Sequence, residues 1–80
     1  MSSEKNTRYN SEDIIKKEAR GLGDANLGEV QDVGADYIIT QKGTVDKDKF
    51  YIPKNLVDSF DGHTIFFKVT KEESKKFKRD

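Results

Sequence analysis

The clearest pattern in the chain is the recurrence of apolar residues at every second position, the period of a β-strand that buries one face. Residues 49 to 53 and 64 to 69 both follow this pattern. The first of these strands is expected to end at Pro53, because proline has no N–H for the sheet ladder. The residues predicted to face the core from the two strands are Phe50, Ile52, Ile65, Phe67 and Val69.

Two further strands are predicted in the first half of the chain. Residues 37 to 41 are rich in β-branched and aromatic side chains, which favour strands. Residues 27 to 33 also read as a strand, but their apolar side chains stand three positions apart, which does not fit a flat one. A bulge near Gly28 or at Asp32 would reconcile this spacing with a sheet, and bulges bend strands as small barrels require.

Helix signals stand near both ends of the chain. Ser11 precedes two acidic residues and is expected to cap a helix, which propensity alone would extend to Arg20. Thr70 and Glu73 form a capping box, in which each side chain reaches the other's backbone N–H, and this predicts a short helix over residues 71 to 77. The apolar residues expected to plug one end of the fold are Leu56, Val57 and Phe60.

Eighty residues allow one small domain, placed at residues 11 to 77 between a flexible polar leader, residues 1 to 10, and a tail, residues 78 to 80. Only 32% of the residues are apolar, so the core is thin, and such domains often depend on a partner or a second copy. The absence of cysteine excludes disulfides and thiolate chemistry. No apolar run approaches the roughly 18 residues of a membrane span, so a cytoplasmic protein without membrane insertion is expected.

The net charge is zero, but the charges are unevenly distributed. Residues 21 to 36 hold four acidic residues and no lysine or arginine. Residues 68 to 80 hold six basic residues against three acidic ones. The two segments could attract each other within or between molecules, or they could simply be two solvated faces that keep the protein soluble.

No constellation of catalytic or metal-binding residues is recognised in the sequence. His63, the single histidine, has Asp58 and Asp61 nearby as orienting partners, but a surface histidine that opens a strand is the commoner situation. Asp46 and Asp48 lack the closing glutamate of a calcium loop. We therefore expect no catalytic residue, no cofactor, no metal and no enzymatic activity.

A protein-docking surface is the favoured functional interpretation. Alternation turns Tyr51 and Phe66 away from the core, where they could form one exposed aromatic patch of the kind that anchors binding partners. Tyr37 and Lys68 are the other predicted contact residues. In the competing arrangement, the C-terminal helix covers the patch with Phe77 and makes it a second small core.

Nucleic-acid binding is the second functional class to weigh. The basic tail and the outward aromatic residues would suit a single-stranded partner. The zero net charge and the acidic first hairpin argue against one, because they repel phosphate. Self-association is a third alternative and is compatible with docking, since an open barrel edge can pair with the same edge of a second copy.

The order and spacing of several short motifs resemble a PRC-barrel domain over about residues 12 to 74. The motifs are Ile14-Ile-Lys-Lys-Glu-Ala, Asn26-Leu-Gly-Glu-Val-Gln-Asp-Val33, Phe50-Tyr-Ile-Pro53, Asp61-Gly62 and Ile65-Phe-Phe-Lys-Val69. The chain departs from the family pattern at Gly23-Asp24, where many members have Asp-Gly, and this leaves the type of the first hairpin turn open. The family pattern places a strand just after the first helical turn, so the resemblance replaces the helix by a strand over about residues 17 to 22.

The resemblance implies a mainly β fold, a small antiparallel barrel of six or nearly six strands with a short C-terminal helix. PRC-barrel members look like docking modules of photosynthetic complexes, ribosome maturation factors and archaeal cell-division scaffolds. By this resemblance the chain is a non-catalytic adaptor, in monomeric or dimeric form, and its partner is a division, ribosomal or membrane-complex protein. The alternative is an RNA- or ribosome-associated binding domain similar to a maturation factor.

Overall fold

The computed structural model describes residues 9 to 43 and 48 to 79. Within them lie seven strands: β1 (Glu18–Arg20), β2 (Asn26–Val33), β3 (Tyr37–Lys42), β4 (Asp48–Pro53), β5 (Val57–Phe60), β6 (Thr64–Phe67) and β7 (Lys78–Arg79). The remaining regular elements are two one-turn helices, α1 (Ser11–Ile14) and α2 (Lys71–Ser74), and 3₁₀ turns at Leu22–Asp24, Lys54–Leu56 and Lys75–Phe77. No helix in these ranges is long and apolar enough to cross a membrane.

One sheet contains all seven strands, in the order β5-β6-β1-β2-β3-β4-β7. β1 runs parallel to β6, and the other neighbouring pairs are antiparallel. A mainly β domain with a short C-terminal helix is therefore confirmed. The predicted antiparallel barrel of six or nearly six strands is not confirmed. The sheet has seven strands, β1 runs parallel to β6, and the sheet is open, because β5 and β7 lie at its opposite edges.

The sheet buries one face, and the alternation predicted for β4 and β6 sets which side chains point into it. Ile52, Ile65, Phe67 and Val69 are at most 1% exposed, and Phe50 is 5% exposed. All five belong to a single hydrophobic cluster, to which α1 adds Ile14. The core predicted from these two strands is confirmed.

The residues predicted to plug one end of the fold pack against the core, and two of them lie on a strand that was not predicted. Val57 is buried, and Leu56 and Phe60 pack against the core while partly exposed. They belong to the 3₁₀ turn and to β5, whose register against β6 shifts between Val57 and Ser59. The shift breaks the alternation along β5, which is why the sequence pattern did not reveal a strand there.

Two irregularities bend β2. Its register against β1 shifts opposite Leu27, and its register against β3 shifts at Gln31. These bulges reconcile the three-residue apolar spacing with a sheet, as predicted. Gly28 lies beside the first bulge with a φ of +90°, and it approaches β3 so closely that a Cβ would overlap the carbonyl oxygen of Gln41. Only glycine fits this position without strain.

The N-terminal helix ends after one turn and is followed by β1, as the motif resemblance predicted. Ile15 is already extended and Lys16 has a φ of +68°, so the chain leaves the helical conformation there. The prediction that Ser11 caps the helix is wrong. Asn10 occupies the capping position, and its side-chain amide donates to the Asp13 carboxylate at 3.2 Å rather than accepting a backbone N–H.

The leader that the sequence predicted to be flexible is only partly described. Residues 1 to 8 lie outside the described ranges, as do residues 44 to 47 of the charged loop. Tyr9 packs against the hydrophobic core, and burial raises the pKa of its hydroxyl. Tyr9, which the sequence placed in the leader, is therefore part of the packed structure.

The C-terminal helix begins with the predicted capping box. The Glu73 N–H donates to the Thr70 hydroxyl at 3.0 Å, and the Thr70 N–H donates to the Glu73 carboxylate at 3.0 Å. The helical path continues as a 3₁₀ turn to Phe77, as predicted. Lys78–Arg79, assigned to a tail from the sequence, instead form β7 against β4.

Two polar residues are buried in the described part of the chain: Ser74, whose hydroxyl donates to the Lys71 carbonyl oxygen, and Thr40. Thr40 is fully buried, and its hydroxyl has no hydrogen-bond partner within the described residues. Valine has the same shape without the unsatisfied hydroxyl, so Thr40→Val is expected to raise the free energy of unfolding by about 1 kcal/mol. Chemical denaturation measures the change, with Thr64→Val as control, because the Thr64 hydroxyl donates to Glu18 at 3.3 Å and its removal should not stabilise. A Thr40→Val variant less stable than wild type would contradict this prediction.

Candidate functional site

An apolar block lies on the outward face of β3 and β4. Tyr37 stands directly across from Pro53, and Ile39 stands directly across from Tyr51. Because Ile38 and its neighbours on the same strands point into the core, these four side chains point outward. Tyr37 is 46% exposed and the other three are partly buried. We call these four residues the tyrosine block.

A shallow cleft of about 350 Å³ adjoins the tyrosine block at the β2–β3 turn. Its lining includes Tyr37 and Pro53 from the block together with Asp36 and Lys54. The two connections that form it are held together, since the Lys54 N–H donates to the Asp36 carbonyl oxygen at 2.9 Å. The cleft therefore continues the surface of the tyrosine block toward the β2–β3 turn. The hydrogen bond between Lys54 and Asp36 fixes the two connections that line it, and this part of the surface is polar.

Charges of opposite sign border the tyrosine block on its two sides. Asp32 of β2 stands across from Ile39, and Asp36 precedes Tyr37; these two residues are the acidic flank. Lys49 of β4 and Arg79 of β7 stand directly across from each other and are the basic flank. Like charges at directly opposed positions destabilise a strand pair. Neither member of the basic flank forms an ion pair with a carboxylate in the described part of the chain.

A second apolar patch lies on the outward face of β1 and β6. Arg20 and Phe66 are neighbours in the parallel pair, and Lys68 follows Phe66 on the same side of the chain. Leu22 is 50% exposed and is held at the end of these strands, where its N–H donates to the Val69 carbonyl oxygen at 2.8 Å. The Phe66 patch is made of Leu22, Arg20, Phe66 and Lys68. Sequence reasoning missed Leu22.

The sheet brings some of the predicted contact residues together and separates others. Tyr37 and Tyr51 are adjacent in the tyrosine block, whereas Phe66 and Lys68 belong to the other patch. Three strands lie between β6 and β4, which corresponds to roughly 19 Å across a sheet at about 4.8 Å per strand. The single aromatic patch predicted for Tyr51 and Phe66 therefore does not form.

The competing prediction, in which Phe77 covers the outward aromatic residues, is not what the structure has. Phe77 packs against the buried core cluster, on the inward side of the sheet. Phe66 and Tyr51 are partly exposed and lie outside that cluster. Both apolar patches therefore face away from the core.

A polar groove of about 600 Å³ crosses the outward face between the two patches. Gly28 lies among its lining residues, with three basic and two acidic side chains beside it: Lys16, Arg20, Lys42, Glu18 and Glu29. The Arg20 guanidinium donates to the Glu18 carboxylate at 2.6 Å, so part of this charge is already neutralised. Mixed and partly paired charges give the groove no preference for a ligand of one sign.

The residues considered for acid–base chemistry form a turn. The Asp61 carboxylate accepts the backbone N–H groups of His63 and Thr64 at 2.8 and 2.7 Å, and these two bonds hold its pKa below the usual range. His63 itself is exposed between β5 and β6. No group of three or more His, Asp or Glu side chains that could hold a metal ion occurs in residues 9 to 43 and 48 to 79. The Asp61 side chain thus acts as the acceptor that closes the β5–β6 turn.

Comparison with protein-family models and with curated proteins finds no match for this chain. The resemblance to PRC-barrel domains rests on the quoted motifs and stays a prediction. The function is accordingly inferred from the outward face of the sheet, where two apolar patches and their charged borders are the features that remain without a structural role.

Proposed function

We propose that this protein is a non-catalytic docking module that binds another protein through the tyrosine block. The observation that supports this proposal is the adjacency of two outward cross-strand pairs, Tyr37 with Pro53 and Ile39 with Tyr51. Four apolar side chains are thereby presented on rigid strands instead of on a loop. Tyrosine is enriched at protein interfaces because its ring supplies contact area at little cost in conformational entropy and its hydroxyl supplies a hydrogen bond.

A protein partner suits the borders of the tyrosine block better than a nucleic acid does. A phosphate backbone that crossed the two tyrosines would be attracted by Lys49 and Arg79 but would also meet the carboxylates of Asp32 and Asp36. A protein surface can present both signs of charge at once. Binding to RNA or to a ribosomal complex is therefore the alternative, and nuclease treatment distinguishes it from binding to a protein.

The motif resemblance suggests a narrower setting for the same docking function. By analogy with PRC-barrel domains, the module would be a cytoplasmic adaptor in a cell-division or complex-assembly scaffold. This part of the proposal rests on family analogy, which by itself does not fix a function. The tyrosine block supports docking whichever scaffold is involved.

The test is affinity capture from a lysate of the source organism, with and without nuclease, using wild type and a Tyr37→Ser/Tyr51→Ser variant. Wild type is expected to recover a protein partner that survives nuclease. The variant is expected to lose at least 90% of that partner, since truncating an aromatic residue that is a hot spot of an interface costs about 2 kcal/mol or more in binding. Phe66→Ser is the matched control, because it removes an outward aromatic ring from the other patch.

Two outcomes would contradict the proposal. Equal recovery by wild type and the tyrosine variant, with loss in Phe66→Ser, would move the docking site to the Phe66 patch. Loss of the partner on nuclease treatment would favour the RNA-associated alternative. Thermal melts of each variant establish that the folded fraction is the same, which is expected because both tyrosines are outside the core cluster.

A further inference from the structure

We propose that the basic flank, Lys49 and Arg79, binds a carboxylate of the docked protein, so that the docked segment carries an acidic side chain beside its apolar anchor. The proposal rests on the docking function and adds the chemistry of the docked segment. Lys49 and Tyr51 are two residues apart on β4, so both side chains point to the outward face. The basic flank therefore continues the tyrosine block along the strand at a distance of about 7 Å.

The charges of the basic flank are not neutralised within the described part of the chain. Lys49 stands between Gln41, which is neutral, on β3 and Arg79 on β7. The carboxylate of Asp48, which precedes Lys49, forms an ion pair with the Lys78 ammonium at 3.1 Å. The Arg79 guanidinium donates to the Lys78 carbonyl oxygen at 3.4 Å, a long bond to a neutral group. Both cations are exposed and available to a ligand.

The direct opposition of Lys49 and Arg79 destabilises the β4–β7 pair, because the two like charges repel each other. Side chains that oppose each other directly have Cβ atoms about 5 Å apart, so one carboxylate can contact both cations. Such a carboxylate offsets the repulsion, and a guanidinium can bind it through two parallel hydrogen bonds. The pair is thus arranged to bind one anionic group.

The acidic flank restricts where the acidic residue of the docked segment can lie. Asp32 and Asp36 repel a carboxylate on the β2 side of the tyrosine block, so the acidic residue must lie toward β4 and β7. The distance of about 7 Å from Tyr51 to Lys49 corresponds to two residues of an extended segment or four residues of a helix. We therefore expect an acidic residue two to four positions from the apolar anchor.

Selection on the full chain from a displayed library of random peptides of about 12 residues tests this specificity. Peptides enriched by wild type are expected to carry aspartate or glutamate two to four positions from an aromatic or large aliphatic residue. Selection on a Lys49→Glu/Arg79→Glu variant is expected to enrich lysine or arginine at that position instead. Lys68→Glu is the matched control, since it makes the same change in the Phe66 patch and should enrich the same acidic peptides as wild type.

The affinity of one enriched acidic peptide and the melting temperature of the protein are then measured for Lys49→Glu. The variant is expected to bind the peptide at least tenfold more weakly, with the largest difference at low salt. It is also expected to melt about 3 °C higher than wild type, because an opposite-charge pair replaces a like-charge pair across β4 and β7. Loss of binding in a stabilised variant cannot result from damage to the fold.

Different outcomes would contradict this proposal and the docking function. An enriched peptide that binds Lys49→Glu as tightly as wild type, but fails to bind Tyr37→Ser/Tyr51→Ser, would overturn the role of the basic flank and still support docking. Selection of the same acidic peptides by the charge-reversed variant, or a lower melting temperature for Lys49→Glu, would also overturn that role. Failure to enrich any peptide that requires the tyrosines would contradict both proposals.

Discussion

Gly28→Ala is expected to lower the free energy of unfolding by about 3 kcal/mol, a large fraction of the stability of a domain of this size. Two causes add at this position. The φ of +90° is strained for any residue with a Cβ. The new Cβ would also overlap the Gln41 carbonyl oxygen and lie 2.8 Å from the Lys42 Cα, so β2 and β3 would have to separate. Urea denaturation followed by tyrosine fluorescence measures the loss.

Two other glycines each have only one of these two causes, backbone strain or steric overlap, and their variants therefore serve as controls. Gly62 has a φ of +98°, and a Cβ added there would have no atom within 4 Å, so Gly62→Ala should cost only the backbone strain, about 1 kcal/mol. Gly21 has an ordinary φ of −110°, but a Cβ there would overlap the Val69 carbonyl oxygen, so Gly21→Ala should cost only the overlap. If Gly28→Ala costs no more than Gly62→Ala, the close contact between β2 and β3 is not as described.

Phe67→Ala is expected to lower the free energy of unfolding by about 3 to 5 kcal/mol and to leave much of the protein unfolded at room temperature. The ring of Phe67 is 1% exposed and belongs to the central hydrophobic cluster. Its removal loses the transfer free energy of the ring and leaves a cavity between strands that are fixed by the sheet. Thermal and chemical denaturation, both monitored by circular dichroism, give the change.

The adjacent residue provides the matched control for this prediction. Phe66 precedes Phe67 on β6 but points to the outward face and is partly exposed. Phe66→Ala removes the same side chain, and it is expected to cost about 1 kcal/mol, because less apolar surface returns to water. Equal losses for the two variants would show that another part of the chain covers Phe66, and the second apolar patch would then be a core.

The spacing of apolar residues was sufficient to predict the strands in which apolar and polar residues alternate regularly. It also indicated where a bulge interrupts that alternation. Residues 49 to 53 and 64 to 69 alternate because one face of the sheet is buried, and the inward residues follow from that alone. The three-residue spacing in β2 indicated a bulge, and two are present. The short first helix was not predictable from propensity, because sheet pairing over β1 overrides it.

Elements defined mainly by their neighbours could not be predicted in the same way. β5 carries a register shift that hides its alternation, and β7 consists of Lys78 and Arg79, which have no intrinsic preference for strands. The parallel pairing of β1 with β6 leaves no trace in a three-residue strand. The predicted antiparallel barrel is not confirmed for these reasons, since closure depends on which strands meet at the edges.

In the candidate site too, the sequence predicted the orientation of side chains but not which of them are neighbours. Alternation correctly turned Tyr51 and Phe66 outward, because the residues beside them are buried. Whether two outward residues are neighbours depends on strand order and register, which the pattern does not contain. Tyr37 and Tyr51 share a block because β3 and β4 form a hairpin, while Phe66 lies four strands from Tyr51.

The parallel pair also sets an order for the folding of the chain. Glu18 and Thr64 are paired across β1 and β6 although 46 positions separate them, and contacts so distant in sequence are slow to form. The meander of β2, β3 and β4 needs only short loops to close. The tyrosine block belongs entirely to this meander, so we expect its four residues to be brought together early in folding. We expect the Phe66 patch to form later, because it requires β6 to have reached β1.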